Sequence, residues 1–212
     1  MSELHGLGAR RRALARADDA AHALRDASGA AAGVRAPDAY PVVVTRSFTG
    51  PVTPLPRARR HAFLAHLVRV ARDAFAHPHV IDAPPGVPTP DDAALLGRAC
   101  ATCGGHCCSH GGDRAFVSAD TVRRYAAEHP AVRASHVVRA YARRLRGDTH
   151  DGSCVFHRRD GCALPTEMRS DTCNRYVCGA LAELRRAGTP RAFVAAADRD
   201  GTVIDSAFVD GR

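Results

Sequence analysis

Cys100-Ala101-Thr102-Cys103-Gly104-Gly105-His106-Cys107-Cys108 is the stretch on which the reading of this 212-residue chain turns. It holds four of the eight cysteines; the others follow as Cys154, Cys162, Cys173 and Cys178, and none precedes Cys100. Thiolates crowded this closely repel one another, so they need a cation or covalent pairing to sit together. The start of the chain has no leader-like apolar core, only a polar, alanine-rich run after Ala9-Arg10-Arg11-Arg12. No stretch approaches the roughly 18 to 20 apolar residues that span a bilayer. A cytoplasmic location with no membrane partner is therefore expected, and there clustered cysteines are more often metal ligands than disulfides. A disulfide framework and inert thiols are the alternatives.

Spacing narrows the metal reading. A C-x2-C pair lets two sulfurs approach one metal from a tight turn, as in zinc ribbons and iron–sulfur sites. Gly104-Gly105 supplies the freedom for the chain to fold back, so that Cys107 or Cys108 can reach the same centre. Adjacent cysteines diverge in most backbone conformations, so Cys107-Cys108 suggests a polynuclear centre or two neighbouring sites. Later spacings are C-x7-C and C-x4-C, which disfavours an ordinary zinc ribbon. All eight, Cys100, Cys103, Cys107, Cys108, Cys154, Cys162, Cys173 and Cys178, are candidate ligands for zinc or iron, including an iron–sulfur cluster. His106, His110 and His157 lie within three residues of cysteines and could replace a thiolate. Arg169 and Arg175 could offset the charge of a tetrathiolate site, and Asp113 and Glu167 could orient a ligand or balance arginines.

The ordered series Cys100-x2-Cys103-x3-Cys107-Cys108, then Cys154-Val155-Phe156 with Gly161-Cys162, then Arg169-x3-Cys173-x-Arg175-Tyr176, resembles the YkgJ-type cysteine-cluster family over about residues 97 to 186. That family is described as zinc- or iron-chelating. The resemblance implies a first ligand group at Cys100, Cys103, Cys107 and Cys108, and later ligands at Cys154, Cys162 and Cys173. This chain departs from the family in two places: its first group is one residue longer than C-x2-C-x2-CC, and Arg169-Ser170 stands where Arg-Pro is usual. Cys178 is matched less closely. The family name implies a site and no reaction. A related group, resembling flagellin lysine N-methylases, joins such a cluster to protein methylation, so an iron–sulfur redox or methyltransferase-related enzyme is the alternative function. The double glycines Gly104-Gly105 and Gly111-Gly112 follow no convincing strand, which argues against a methyl-donor site of the usual kind.

Composition excludes some chemistry. All thirty basic residues are arginine, so no lysine Schiff base or lysine general base can operate. The net charge of +8 is spread along the chain, and the few aromatics do not interleave with arginine as a base-stacking surface requires. Nucleic acid is not an expected partner, and no protein partner can be named. A Cys107/His110 catalytic pair is suggested by adjacency alone, whereas such pairs are built by tertiary geometry.

The fold expectation is an α-rich α+β protein: a small helical domain organised around a cysteine-ligated metal centre, with a C-terminal β-hairpin. Residues 1–38, alanine- and arginine-rich, are expected to be weakly ordered, although Arg10 to Ala27 could form a helix ended by Ser28-Gly29. Residues 39–80 read as a short strand at Pro41–Thr45 and an amphipathic helix from Ala58 to Ala76, with Leu64, Leu67, Val68, Ala71 and Phe75 inward and Phe63 and Val70 broadening the stripe. Ile81 to Pro90 is proline-rich and marks the boundary before a cysteine-cluster domain at 90–212. There Thr89 should cap a short helix reaching Gly97, and Ser118 a helix ending at His129. A further helix from Pro130 to about Arg146 should bury Ala134, Val138, Tyr141 and Leu145. Phe193-Val194-Ala195 and Val203-Ile204, flanking Asp198–Gly201, should pair as the hairpin.

Overall fold

The computed structural model describes residues 2–79, 90–145 and 147–210. The chain is α+β and forms two compact units, each assembled from separated segments. The first unit comprises Met1–Thr49, Pro88–His106 and Val177–Arg212; the second comprises Gly50–Val87 and Cys107–Tyr176. The expected linker and the Thr89 cap lie outside the described residues. One change of unit falls between residues 87 and 88, within the expected 81–90 boundary; the chain also changes unit after Thr49, His106 and Tyr176, because long-range strand pairing groups separated segments.

The first unit is built on β6 (Arg191–Ala197). It pairs parallel with β1 (Val42–Arg46) and antiparallel with β7 (Val203–Asp210), giving the order β1-β6-β7. All of β6 from Ala192 to Ala197 is buried, so its side chains meet packing on both faces. Phe193 and Ala195 pack with Ala21 of α1 (Ser2–Ala31). Ala192 and Val194 pack with Leu95, Leu96 and Ala99 of α3 (Pro90–Cys103) and with Leu181 and Leu184 of α7 (Gly179–Ala187).

The segment expected to be weakly ordered is thus a helix. Its Ala13, Ala17 and Ala21 form a buried i, i+4, i+8 stripe whose small side chains allow the helix to pack closely. Local hydrophobicity understates such a helix, because alanine contributes little until a partner surface covers it. The β6–β7 turn shows how close the approach is. Gly201 has φ +87°, and a Cβ there would fall 2.1 Å from the Ala13 carbonyl oxygen. Asp198 secures the same turn by accepting from the Asp200 and Thr202 N–H groups, each at 2.9 Å.

The second unit packs α2 (Arg57–Ala76), α4 (Ala119–Glu128) and α5 (Ala134–Arg144) around one core. Two short antiparallel pairs complete it: β2 (Val52–Pro54) with β3 (Asp148–His150), and β4 (His157–Arg158) with β5 (Gly161–Cys162). Phe63 meets Phe156 edge-on at 4.9 Å, a favoured aromatic geometry. Tyr141 is fully buried, and its hydroxyl donates to the Met168 carbonyl at 2.6 Å.

The buried stripe of α2 is Phe63, Leu67, Val70, Ala71 and Ala74, with Leu64 partly buried against the same core; the expected stripe is narrowed to its Phe63–Val70 side, and Phe75 is exposed. The 3.6-residue period allows a broad stripe, and only the neighbours choose which side of it is covered. Ser118 caps α4 by accepting from the Thr121 N–H at 3.3 Å. Helix α5 begins four residues later than expected, after Arg133; it buries Val137 and Tyr141, with Ala134 and Val138 partly buried against the same core and Leu145 buried at its end. Among the described residues no helix is long and apolar enough to cross a membrane.

Candidate metal centre

The eight candidate cysteines divide between the units. Cys100, Cys103 and Cys178 belong to the first; Cys107, Cys108, Cys154, Cys162 and Cys173 belong to the second. Among the described residues no disulfide is formed.

In the first unit, α3 extends past Gly97 and carries Cys100 and Cys103 on its final turn. The C-x2-C pair is therefore helical rather than a tight turn, and an i, i+3 spacing places both cysteines on one helix face. The Cys103 thiol donates to the Arg46 carbonyl at 3.0 Å. The helix then ends at Gly104 and Gly105, both with positive φ (+65° and +80°), a conformation that glycine adopts without strain. Cys178 is the N-cap residue of α7 and packs, half-buried, against the cluster containing Leu95 and Leu181.

In the second unit, four separate segments supply cysteines. Cys107 and Cys108 lie on a 3₁₀ turn, His106–His110. Cys154 follows the Asp151-Gly152-Ser153 turn, Cys162 ends β5, and Cys173 lies on α6 (Asp171–Arg175). Backbone bonds lock the first two segments together. The Cys108 carbonyl accepts from the N–H of Cys154 and from that of Gly111, both at 3.0 Å. Gly111 is required by this approach, since a Cβ there would stand 2.9 Å from the Cys154 Cβ and 3.1 Å from its Sγ. Cys162 is brought in by pairing with His157 across the β4–β5 hairpin. Ser170 caps α6, its hydroxyl accepting from the Cys173 N–H at 3.1 Å.

These five thiols feel one another electrically. The hydrogen bond from Cys108 draws the Cys107 thiol down to about 6, against the opposing effect of burial. The same bond drives Cys108 strongly upward, helped by burial and by Cys107, Cys154 and Cys162 nearby. Cys154 is pushed up to about 12, first by burial and then by Cys162 and Cys173. Cys173 is raised by desolvation on its protein-facing side, and Cys162 and Cys107 add to the rise.

Arginines oppose this build-up of negative charge. Arg59 of α2 lowers Cys154, and Arg169 lowers Cys173. Arg59 is held by Asp113 at 2.6 Å and by the Ser153 carbonyl, while its buried Nη1 has no hydrogen-bond partner. Asp113 thus balances an arginine, and Arg169 is anchored by the Leu164 carbonyl at 2.8 Å. Glu167 offers its backbone carbonyl to Arg124, and Arg175 is exposed. In sequence Arg59 was visible only as part of a charge cluster with Arg57 and Arg60, since α2 reaches Cys154 only in the folded chain.

The histidines separate. His157 is fully buried, with Nδ1 bonded to the Ser153 hydroxyl at 2.8 Å and its ring 4.4 Å from that of His150. His110 is exposed, and His106 is half-buried. Among the described residues no group of three or more His, Cys, Asp or Glu side chains is arranged to hold a metal ion as it stands. The donor set nonetheless has the right chemistry: soft thiols from several segments, with arginines beside them to offset thiolate charge. Comparison with family models, with curated proteins and with solved structures found no match.

Proposed function

We propose that this chain binds a thiophilic metal, zinc or iron, through the cysteines of its second unit. The observation that carries the reading is that the fold gathers Cys107, Cys108, Cys154, Cys162 and Cys173 from four segments of one unit, with the Cys108 carbonyl holding the Cys154 N–H at 3.0 Å and neighbouring cysteines raising Cys108, Cys154 and Cys173. Thiols that mutually disfavour ionisation are stabilised when a cation takes their protons' place. The Cys107–Cys108 pair would give up its first proton most readily, with Cys154 losing its own as the cation arrives. Arg59 and Arg169 would offset the surplus thiolate charge. Cys100 and Cys103 are proposed as ligands on their C-x2-C spacing and the resemblance to the YkgJ-type family, and Cys178 on its residue type alone.

The role proposed first is structural: the ion would tie the 3₁₀ turn, the Cys154 turn, β5 and α6 together. Adjacent Cys107-Cys108 favours a polynuclear iron–sulfur centre, with redox or methyltransferase-related activity, as the second reading. Anaerobic purification followed by metal analysis and visible spectroscopy separates them. Stoichiometric zinc without visible absorbance supports the structural role; iron with acid-labile sulfide supports the cluster. Neither metal, with thiols recovered in disulfides, refutes metal binding altogether.

A further inference from the structure

Strand β1 forms the edge of the sheet in the first unit. The Phe193 N–H donates to the Pro41 carbonyl at 3.0 Å, so residues 41 and 43 turn their backbone groups toward β6. Alternation along a parallel ladder then directs the N–H and C=O of Val42 and Val44 to the open side. Among the described residues no strand pairs there. At the next such position the Arg46 carbonyl accepts from the Cys103 thiol, which closes that end of the edge.

This bare edge is the floor of a cleft of about 550 Å³, walled by Leu14 and Asp18 of α1 and by Glu183 and Leu184 of α7. That size falls within the roughly 300–1,000 Å³ typical of ligand sites. Edge strands are usually guarded by a charge, a proline or a bulge that blocks pairing; here Pro41 and Arg46 stand at the two ends, and Val42, Val43 and Val44 between them carry none of these. Leu14 adds apolar surface at the mouth, being 50% exposed. Among the described residues the charged ones lining the cleft are both acids, Asp18 on one wall and Glu183 on the other, in a chain of net charge +8. Glu183 has a distant ion pair with Arg186 at 3.9 Å, and Asp18 has none among the described residues.

We propose that this cleft binds an extended, cationic peptide segment that adds as a strand to β1. The floor selects the conformation, because Val42 and Val44 offer backbone donors and acceptors at strand spacing. The walls select charge, because an arginine or lysine beside Asp18 and Glu183 gains complementary field. A second copy of this chain fits poorly, since it would set the same acids against each other. The proposal rests on the first unit alone and is independent of the cysteine reading.

The test is fluorescence anisotropy of the full chain with a labelled pool of short peptides that alternate arginine with valine, isoleucine or threonine. Saturable binding is expected, weakened about tenfold by Asp18→Asn with Glu183→Gln. N-methylation of alternate peptide amides, made in both registers, should abolish binding while leaving peptide charge unchanged. Val44→Pro should do the same with an unchanged circular dichroism spectrum, since the Val44 N–H is outside the β6 ladder. No binding to the unmodified chain overturns the proposal. So does binding indifferent to N-methylation, which would be simple charge attraction, or a dimer in sedimentation that Val44→Pro dissolves.

Discussion

Replacing Gly111 by alanine should destabilise the second unit, although alanine is ordinarily the more favourable residue. The new methyl carbon would lie 2.9 Å from the Cys154 Cβ, 3.1 Å from its Sγ and 3.4 Å from the Cys108 carbonyl oxygen. Neither neighbour can yield easily. Cys154 is buried, and its N–H is bonded to the Cys108 carbonyl that also holds the Gly111 N–H. Overpacking of this kind costs about 1–3 kcal/mol. Against it stands a gain of about 0.4–1 kcal/mol from the reduced freedom of the unfolded chain. The steric cost prevails, so Gly111→Ala should lower stability by about 1–2 kcal/mol in urea unfolding of the metal-free chain. Gly97→Ala is the opposing control. Gly97 lies inside α3 with no atom within 4 Å of its added Cβ, so that change should stabilise by about 0.5–1 kcal/mol. An unfolding midpoint for Gly111→Ala at or above that of the parent chain would refute the packing argument.

Three further outcomes are expected. Cys154 ionises near 9 in the unfolded chain and at about 12 when folded, so its contribution is fully present below pH 9 and lost as pH rises toward 12. Unfolding of the metal-free chain followed from pH 8 upward should show this decline, and Cys154→Ala should make it shallower, with the raised Cys108 and Cys173 supplying the remainder. Alkylation of Cys107 should accelerate with an inflection near pH 6, and Cys108→Ala should move that inflection upward by removing the hydrogen bond; mass-resolved rates with iodoacetamide would reveal an unmoved inflection if the bond were not its cause. Tyr141→Phe should cost about 1–3 kcal/mol, because it orphans the buried Met168 carbonyl, and denaturant unfolding at unchanged secondary structure measures it.

Short-range chemistry made much of this chain readable. The cap at Ser118, the extents of α2 and β1 and the turn at Asp198–Gly201 rest on neighbours a few residues apart, and local patterning exposes those. The cysteine count, the absence of lysine and the order of the cysteines are properties of the sequence alone. Pairing and packing over long distances are not. Alanine is too small to announce that α1 is packed helix; its stripe acquires meaning only beneath Phe193 and Ala195. Parallel pairing of Val42–Arg46 with residues near the C-terminus leaves no mark in either segment, yet it helps to define the unit that holds Cys100, Cys103 and Cys178. The effect of Arg59 on Cys154, and the demand for glycine at position 111, arise from folding that brings remote segments together. Residue types determined which chemistry was available to this protein, and tertiary structure decided which groups could share it, because electrostatic and steric coupling depend on distance in space rather than along the chain.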